Sequence, residues 1–303
     1  MKNICTLILI VTPSFLWSQA LEGTSNAIKV EVGKKKEVEQ PPVKIEKSTS
    51  EEDMATTLES LGITKLPKYH ALIVGISTYK NSEVGLPSLD MPVKDAEKLY
   101  QVLIDRYAFD PENVKLLKDA TKEEIINHLE YLAENVNERD NVLIFYAGHG
   151  FYDKSKDFGY WLPSDAKLNS RGTWIPNSSI KDYVFAIKSK HTLLITDACF
   201  SGSIFKTRSV ADVNLIKRFN EVYKSNSRKA MTSGNLIEVP DQSVFLKYLI
   251  KGLEENEDVF LSSTILFSRI LEPISNNATV TPLHGIIQGA GDEGGDFVFI
   301  KKK

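Results

Sequence analysis

Cysteine is nearly absent from this sequence, and its scarcity limits how the fold can be stabilised. Only Cys5 and Cys199 occur among 303 residues, and Cys5 lies within an apolar N-terminal segment. Once such a segment is removed, the remaining thiol cannot form an internal disulfide. A disulfide-stabilised scaffold is therefore excluded. Cys199 is either a buried, inert side chain or a reactive thiol.

The sequence also lacks an excess of positive charge and a long apolar run. The formal net charge is −3, and no basic stretch is interleaved with aromatic residues, so nucleic-acid binding is not predicted. After the N-terminal segment, no apolar run approaches the roughly 20 residues of a membrane-spanning helix. We therefore expect no nucleic-acid partner and, once that segment is removed, no membrane partner.

The first 20 residues have the pattern of a secretory signal peptide. Lys2 precedes a mostly apolar stretch over residues 4–16, and Ser18 and Ala20 are small, as a signal peptidase requires at the two positions it reads. A buried N-terminal strand or helix is the alternative. We expect residues 1–20 to be removed and the protein to be exported, either to the periplasm or to the medium.

Residues 21–66 predict a flexible linker or a removable pro-segment. The stretch 33–47 combines lysine, glutamate and proline with few bulky apolar residues, so it cannot bury enough surface to offset the entropy of ordering. A short helix is expected at residues 54–61. The folded domain is then expected to span residues 67–303 as one unit without internal repeats.

Buried strands alternate with amphipathic helices in the first half of this domain. The apolar runs at residues 71–76, 113–117 and 141–147 predict strands. A helix that begins at Pro92 and a second that begins at the capping box of Thr121 lie between them. This βαβαβ order is typical of a parallel sheet that is covered by helices.

The second half of the domain shows weaker patterns of the same kind. An aromatic loop at residues 151–174 predicts short strands or a wall of the site. The further elements that we expect are a helix at 178–187, a strand at 191–197, a short strand at 230–234, an amphipathic helix at 243–253, a helix at 261–274 that ends at Pro273, and a last strand at 296–300. The sequence thus predicts an α/β domain built on a mainly parallel sheet of about six strands.

Two of the predicted strands end in residues that are able to react. The run 141–147 leads into Gly148-His149-Gly150, and the run 191–197 leads to Cys199, 50 positions after His149. Open α/β sheets place their sites at the carboxyl ends of the strands. Neighbouring strands are about 4.8 Å apart, so the two side chains are expected to meet at one edge.

The combination of His149 and Cys199 predicts nucleophilic catalysis. A histidine lowers the pKa of a thiol or accepts its proton, and it then returns a proton to the leaving group. The backbone N–H groups of Gly150 and Cys199 are candidate donors to the developing oxyanion. The alternative is a structural histidine in a turn and an inert cysteine at a strand end.

Four segments in the same order resemble a known family. They are Ala71-Leu-Ile-Val-Gly75, Val93-Lys-Asp-Ala96, Tyr146-Ala-Gly-His-Gly150 and Asp197-Ala-Cys-Phe-Ser-Gly202. From Ala71 to about Ser233 the chain resembles the caspase-like domain of the caspase and metacaspase peptidases, whose spacing between histidine and cysteine it also matches. The Asp-Ala-Cys form is closer to metacaspase-like members than to animal caspases. Clostripain-like peptidases share both strand ends and are the nearest alternative.

This resemblance implies a caspase-like three-layer α/β/α sandwich and a cysteine endopeptidase with a Cys199–His149 dyad, polypeptide substrates and no organic cofactor. Metacaspases favour Arg or Lys before the scissile bond through acidic residues, and the matching positions here are Asp95 and Asp197. A carboxylate in a desolvated pocket pairs well with a guanidinium. The residues alone also fit an exposed carboxylate in a first helical turn and a strand-end cap. A catalytically silent caspase-like binding or signalling domain is the alternative function.

Two regulatory features of the family are matched only in part. The stretch 203–229 corresponds to an intersubunit linker in caspase-like enzymes, so it is either a site of self-processing or a solvated basic loop. Its basic residues include Lys206, Arg208, Lys217, Arg218, Arg228 and Lys229. Some metacaspases are activated by calcium, and Asp165 and Asp182 match part of the acidic cluster that binds it. Because Lys206 stands where another carboxylate is expected, we predict no metal site.

Overall fold

The computed structural model describes residues 59, 66–80, 86–198, 219–234, 242–278 and 281–302. The predicted signal peptide, nearly all of the predicted linker with its short helix, and Cys199 lie outside these residues. Backbone contacts divide the chain between Ile45 and Glu46, and every described element belongs to the second unit. Within the described ranges, no helix is both long and apolar enough to span a membrane.

Six strands form the central sheet in the order β10-β8-β7-β3-β1-β2. The parallel strands are β1 (Tyr69–Gly75), β2 (Phe109–Lys118), β3 (Asn141–Ala147), β7 (His191–Asp197) and β8 (Ser227–Thr232), and β10 (Leu283–Ile286) pairs with β8 in the antiparallel direction. Every residue of β1, β3 and β7 is buried, as expected of parallel strands covered on both faces. The mainly parallel sheet of about six strands is confirmed.

Helices cover both faces of this sheet and form two hydrophobic cores. One face carries α1 (Pro92–Arg106), α5 (Val244–Glu254) and α6 (Ser263–Asn277), the other carries α2 (Lys122–Asn135) and α3 (Asn177–Ala186), and the short helix α4 (Phe219–Lys224) precedes β8. Phe145 and Ile195 belong to the first core. Their chain neighbours Ile144 and Leu194 belong to the second, because strand side chains alternate between faces. The three-layer α/β/α sandwich is confirmed.

The predicted last strand lies outside the central sheet. β11 (Val298–Ile300) pairs with β9 (Phe260–Ser262) in a separate two-stranded sheet. The sixth place in the central sheet belongs to β10, which the sequence analysis missed. Its sequence, Leu-His-Gly-Ile, lacks the apolar run of a central strand, because an edge strand is paired on one side only.

Pro273 does not end its helix, contrary to the prediction. α6 continues to Asn277, and the N–H of Ala278 still donates to the carbonyl of Ile274 (2.8 Å). Proline removes its own helical hydrogen bond but not those of the residues after it. Ile270 and Ile274 pack in the first core, and this packing stabilises the last turn.

The predicted linker over residues 203–229 ends before β8. Arg228 is a residue of that strand, is 6% exposed, and donates to the carbonyls of Ile187 (3.2 Å) and Ser189 (3.0 Å). Arg228 and Lys229 therefore belong to the sheet and not to a linker, because their backbone is paired with β7. Lys206, Arg208, Lys217 and Arg218 lie outside the described ranges.

Candidate active site

β3 and β7 bring their carboxyl ends together at one edge of the sheet. Their register pairs Ala147 with Asp197, and the N–H of Gly148 donates to the carbonyl of Asp197 across the two strand ends (3.4 Å). His149 comes next after Gly148, and Cys199 comes two positions after Asp197. His149 therefore lies beside the strand end that leads to Cys199.

The loop between β1 and α1 contacts His149 at two points. The Nε2 atom of His149 lies 2.8 Å from the carbonyl oxygen of Pro87. Its backbone N–H donates to the hydroxyl of Tyr79 (2.7 Å), and the centroids of the two rings are 4.9 Å apart. His149 is partly exposed, so its ring is held in place while one side stays open to solvent.

Side-chain hydrogen bonds tie this loop to β2 and α1. Asp119 follows β2 with a φ of 51°, a conformation that aspartate adopts more readily than most residues because its side chain bonds locally. Its Oδ1 accepts from the N–H groups of Ser77 (2.7 Å) and Thr78 (2.8 Å). The Oγ of Ser77 accepts from the N–H of Val93 in the first turn of α1 (3.2 Å). The position of the loop that contacts His149 is thus fixed by two neighbouring elements.

Two tyrosine hydroxyls enclose the backbone of Gly148 and His149. The Tyr146 hydroxyl donates to the carbonyl of His149 (2.7 Å) and accepts from the N–H of Leu162 (3.2 Å). A Cβ on Gly148 would lie 3.0 Å from the Tyr79 hydroxyl and 3.1 Å from that of Tyr146. These close contacts, together with a φ of 155°, favour glycine at this turn. Neither tyrosine was among the residues that the sequence predicted for the site.

Gly150 begins a small antiparallel sheet formed by the predicted aromatic loop. Its strands are β4 (Gly150–Asp153), β5 (Phe158–Trp161) and β6 (Ile175–Pro176). The N–H of Leu162 donates to the carbonyl of His149 (3.1 Å), so these two residues occupy the place of a hydrogen-bonded pair, although the N–H of His149 donates to Tyr79 instead. Such pairs alternate with non-bonded ones in an antiparallel ladder. The next pair is Gly150 with Trp161, so the N–H of Gly150 points away from β5.

The same small sheet carries a cluster of aromatic rings around one arginine. The guanidinium carbon of Arg171 lies 5.4 Å from the ring centroid of Phe151, 5.9 Å from that of Tyr160 and 5.8 Å from that of Trp174. Arg171 also pairs with Asp153 (2.7 Å). These contacts join β4, β5 and the turn before β6, and so stabilise the segment that follows His149.

Asp95 and Asp197 are both buried on the face of the sheet that α1 covers. Each is 7% exposed. α1 approaches closely because β1 ends in Gly75, where a Cβ would lie 2.6 Å from the carbonyl of Pro92. In the described part of the chain, the Oδ1 of Asp197 has no hydrogen-bond partner, and the same is true of the Oγ of Ser233 after β8. The sheet edge thus contains two buried carboxylates that interact electrostatically, called the acidic pocket below, and one carboxylate oxygen without a hydrogen bond among the described residues.

The acidic pocket alters the protonation of Asp197. Burial raises the pKa of Asp197 to about 6, and the negative charge of Asp95 adds to the rise, while the nearby hydroxyls of Ser233 and Ser243 oppose it. Asp197 is therefore mostly ionised at pH 7 but neutral in mild acid. A cation that entered the pocket would stabilise the charged form.

The two acidic residues weighed for calcium binding have different surroundings. The Oδ1 of Asp165 accepts from the N–H of Lys122 in the first turn of α2 (2.9 Å), and Asp182 lies on α3. Among the residues that the structure describes, no group of three or more His, Cys, Asp or Glu side chains is arranged to hold a metal ion. Asp165 contributes to the start of α2 as a helix cap.

The fold defines the class of protein. Similar solved structures are protein GSU0716 from Geobacter sulfurreducens (14% identity, TM-score 0.52, covering 76% of this chain and 100% of that one), Caspase-1 from Spodoptera frugiperda (16%, 0.52, 73% and 87%) and the Drosophila initiator caspase Dronc (13%, 0.50, 74% and 81%). Identities this low show the fold alone. The chain has a caspase-like α/β sandwich.

The sequence then identifies the family. Residues 68–273 match the profile of the caspase domain, Peptidase C14, and they make up more than half of the chain. The chain belongs to this family. Metacaspase-6 from Arabidopsis thaliana is 27% identical over an alignment of 208 residues, and the match covers 62% of this chain and 54% of that protein. The chain thus spans about half the length of this curated relative.

Proposed function

We propose that this chain is a cysteine endopeptidase in which Cys199 is the nucleophile and His149 the general base. The observation that carries the proposal is the pairing of β3 with β7, which puts His149 beside the strand end that leads to Cys199. The imidazole accepts the thiol proton, and the thiolate attacks the peptide carbonyl. His149 then protonates the departing amine, and water hydrolyses the thioester.

Gly150 is proposed to stabilise the oxyanion that forms during this attack. The alternation of the β4–β5 ladder leaves its N–H out of the bonds to β5, and the residue has no side chain to block an approaching carbonyl. A fixed backbone N–H costs no reorganisation when charge develops on the oxygen. The N–H of Cys199 is the second proposed donor, on the sequence pattern alone.

Asp95 and Asp197 are proposed to bind an arginine or lysine side chain before the scissile bond. An ionised carboxylate in a buried site is costly unless a cation or hydrogen-bond donors compensate its charge. A guanidinium supplies several donors in a fixed plane and suits two carboxylates together with the unused Oγ of Ser233. The support for this specificity is the buried Oδ1 of Asp197, which has no hydrogen-bond partner among the described residues.

A peptide library that varies the residue before the scissile bond tests both proposals. Wild type is expected to cut after Arg and Lys, and Cys199→Ala is expected to be inactive. Asp95→Asn and Asp197→Asn should each lower kcat/KM for basic peptides on the order of a hundredfold, the effect of removing one partner of a buried charge pair. Asp105→Asn is the matched control, because Asp105 is an exposed carboxylate on the same helix as Asp95.

The outcomes separate the competing functions. Cleavage by Cys199→Ala would show that the nucleophile is assigned wrongly. An unchanged profile in Asp95→Asn and Asp197→Asn would remove the acidic pocket from substrate recognition. A wild type that cuts no peptide, and whose thiol reacts with a peptidyl chloromethylketone no faster than free cysteine, would indicate a catalytically silent binding domain.

A further inference from the structure

We infer that Tyr79 is a positioning residue that sets the place of the His149 imidazole, an inference that rests on the proposed function. The Tyr79 hydroxyl accepts the backbone N–H of His149 (2.7 Å), and the tyrosine is only 2% exposed. Its ring lies against the imidazole with 4.9 Å between centroids. A buried tyrosine thus contacts both the main chain and the side chain of the proposed base.

Four contacts together define the position of His149. The Tyr79 hydroxyl accepts from its N–H, the Tyr146 hydroxyl and the N–H of Leu162 both donate to its carbonyl oxygen (2.7 and 3.1 Å), and the carbonyl oxygen of Pro87 lies 2.8 Å from Nε2 of its ring. Tyr79 and Pro87 belong to the same loop. The bond from Tyr79 therefore holds the described start of that loop, residues 76–80, against the backbone of His149, beside the separate contact of Pro87 at Nε2.

The geometry at Gly148 explains why a hydroxyl reaches this backbone N–H. Because residue 148 is glycine, the Tyr79 hydroxyl can lie close to its backbone. A Cβ added to Gly148 would be only 3.0 Å from the hydroxyl oxygen. Loss of the hydroxyl would leave the N–H of His149 without its partner, and an unsatisfied buried donor is costly. The Gly148–His149 backbone would then shift until the N–H reached water or another acceptor.

A shift of the backbone moves the imidazole relative to the thiol. Proton transfer requires a separation of about 2.6–3.2 Å between the two atoms, and a misplacement of about 1 Å costs up to about a hundredfold in rate. Tyr79 packs in the second core, whereas the side chains of Asp95 and Asp197 lie on the opposite face of the sheet. Loss of the hydroxyl is therefore expected to lower kcat and to leave KM for an arginyl peptide unchanged.

The test compares Tyr79→Phe with Tyr107→Phe in the full chain. The Tyr107 hydroxyl donates to the carbonyl of Leu253 (2.7 Å), and Tyr107 is 1% exposed, so the control also removes one buried hydroxyl. Both variants should lose similar thermal stability. Tyr79→Phe alone should lower kcat about tenfold to a hundredfold with KM within about twofold of wild type.

A second readout follows the thiol itself. The rate at which Cys199 reacts with iodoacetamide is measured against pH. An imidazole in place lowers the apparent pKa of the thiol, so wild type and Tyr107→Phe should react at lower pH than Tyr79→Phe, whose profile should move toward that of a free cysteine near pH 8.5. A purely structural role for Tyr79 would leave this profile unchanged.

If wild type cleaves peptides and Tyr79→Phe shows a wild-type kcat and a wild-type alkylation profile, the inference about Tyr79 is overturned. The proposed function is upheld in that case. An inactive wild type with a thiol like free cysteine would instead reject the proposed function. If Tyr79→Phe does not fold, hydrogen exchange of the His149 amide in the wild type tests the inference instead. Strong protection of the His149 amide would support the bond to Tyr79, and rapid exchange would overturn it.

Discussion

The Nε2 atom of His149 lies 2.8 Å from the carbonyl oxygen of Pro87. A carbonyl oxygen only accepts, so Nε2 carries the proton and Nδ1 is the basic nitrogen. We predict that NMR of the nitrogen-15-labelled protein near neutral pH shows the Nε2–H tautomer for the resonance that disappears in His149→Ala. A proton on Nδ1 of that ring would contradict the observed contact and would make Nε2 the proton acceptor.

The raised pKa of Asp197 predicts that basic substrates bind poorly in acid. Burial raises this pKa to about 6, with Asp95 adding to the effect. Below pH 6 a neutral Asp197 no longer attracts a guanidinium, so KM for an arginyl peptide should rise by up to about tenfold per pH unit. KM is measured from pH 4.5 to 8 in wild type and Asp197→Asn. The variant should show a high KM with little pH dependence, and parallel curves would refute the assignment.

The raised pKa of Asp197 also predicts that this residue lowers the free energy of unfolding at neutral pH. The folded pKa exceeds the unfolded value of about 3.9, so between those values the folded state binds more protons and stability falls as pH rises. Asp197→Asn should therefore be more stable than wild type by on the order of 2 kcal/mol at pH 7, with the difference vanishing near pH 4. Urea unfolding at both pH values tests this, with Asp105→Asn as the exposed control.

Gly75→Ala should disturb the contact between β1 and α1. The added Cβ would lie 2.6 Å from the carbonyl of Pro92 and 2.8 Å from the Cβ of Ala96, and overpacking of this kind costs about 1–3 kcal/mol. Because α1 carries Asp95, KM for an arginyl peptide should rise as well. Gly172→Ala is the control, since no atom lies within 4 Å of its added Cβ. Both changes are followed by urea unfolding and KM measurements, and equal effects would argue against the close approach.

The burial of His191 predicts that the folded protein loses stability in acid. It is fully buried with its Nε2 2.9 Å from the carbonyl of Tyr223, and burial lowers its pKa to about 4. The unfolded chain, with a pKa of about 6.5, binds the proton more readily, so stability present above pH 6.5 is lost as pH falls toward 4. His191→Asn should lose less stability than wild type between pH 7 and pH 4.5, by on the order of 2 kcal/mol. Equal losses in urea unfolding would rule out this contribution.

Much of the central sheet could be predicted from the sequence because its signals are local. β3 and β7 are buried on both faces, so each is a continuous apolar run, and the start of α2 is marked by a capping box that the structure contains. β10 was missed because an edge strand needs no such run. The path of α6 beyond Pro273 depends on packing against the first core, which the sequence does not display.

The sequence predicted a residue of the candidate site only where that residue follows the end of a strand. His149 follows directly from the end of β3, whereas its contacts with Tyr79 and Pro87 span 70 and 62 positions and leave no periodic pattern. The burial of Asp197 arises from α1 and the end of β8, which meet only in the folded sheet. The spacing of His149 and Cys199 suggested a dyad, but nothing local indicated which hydroxyl holds the histidine.

The central place of β3 determines how often its carboxyl end can open. β3 is paired with β1 on one side and β7 on the other, so its amides should exchange only through unfolding of most of the domain. The described residues next to Tyr79, 76–80, belong to no strand. On timescales shorter than global unfolding, β3 therefore acts as the stationary reference for His149, and the contacts from Tyr79 and Pro87 determine the orientation of its imidazole.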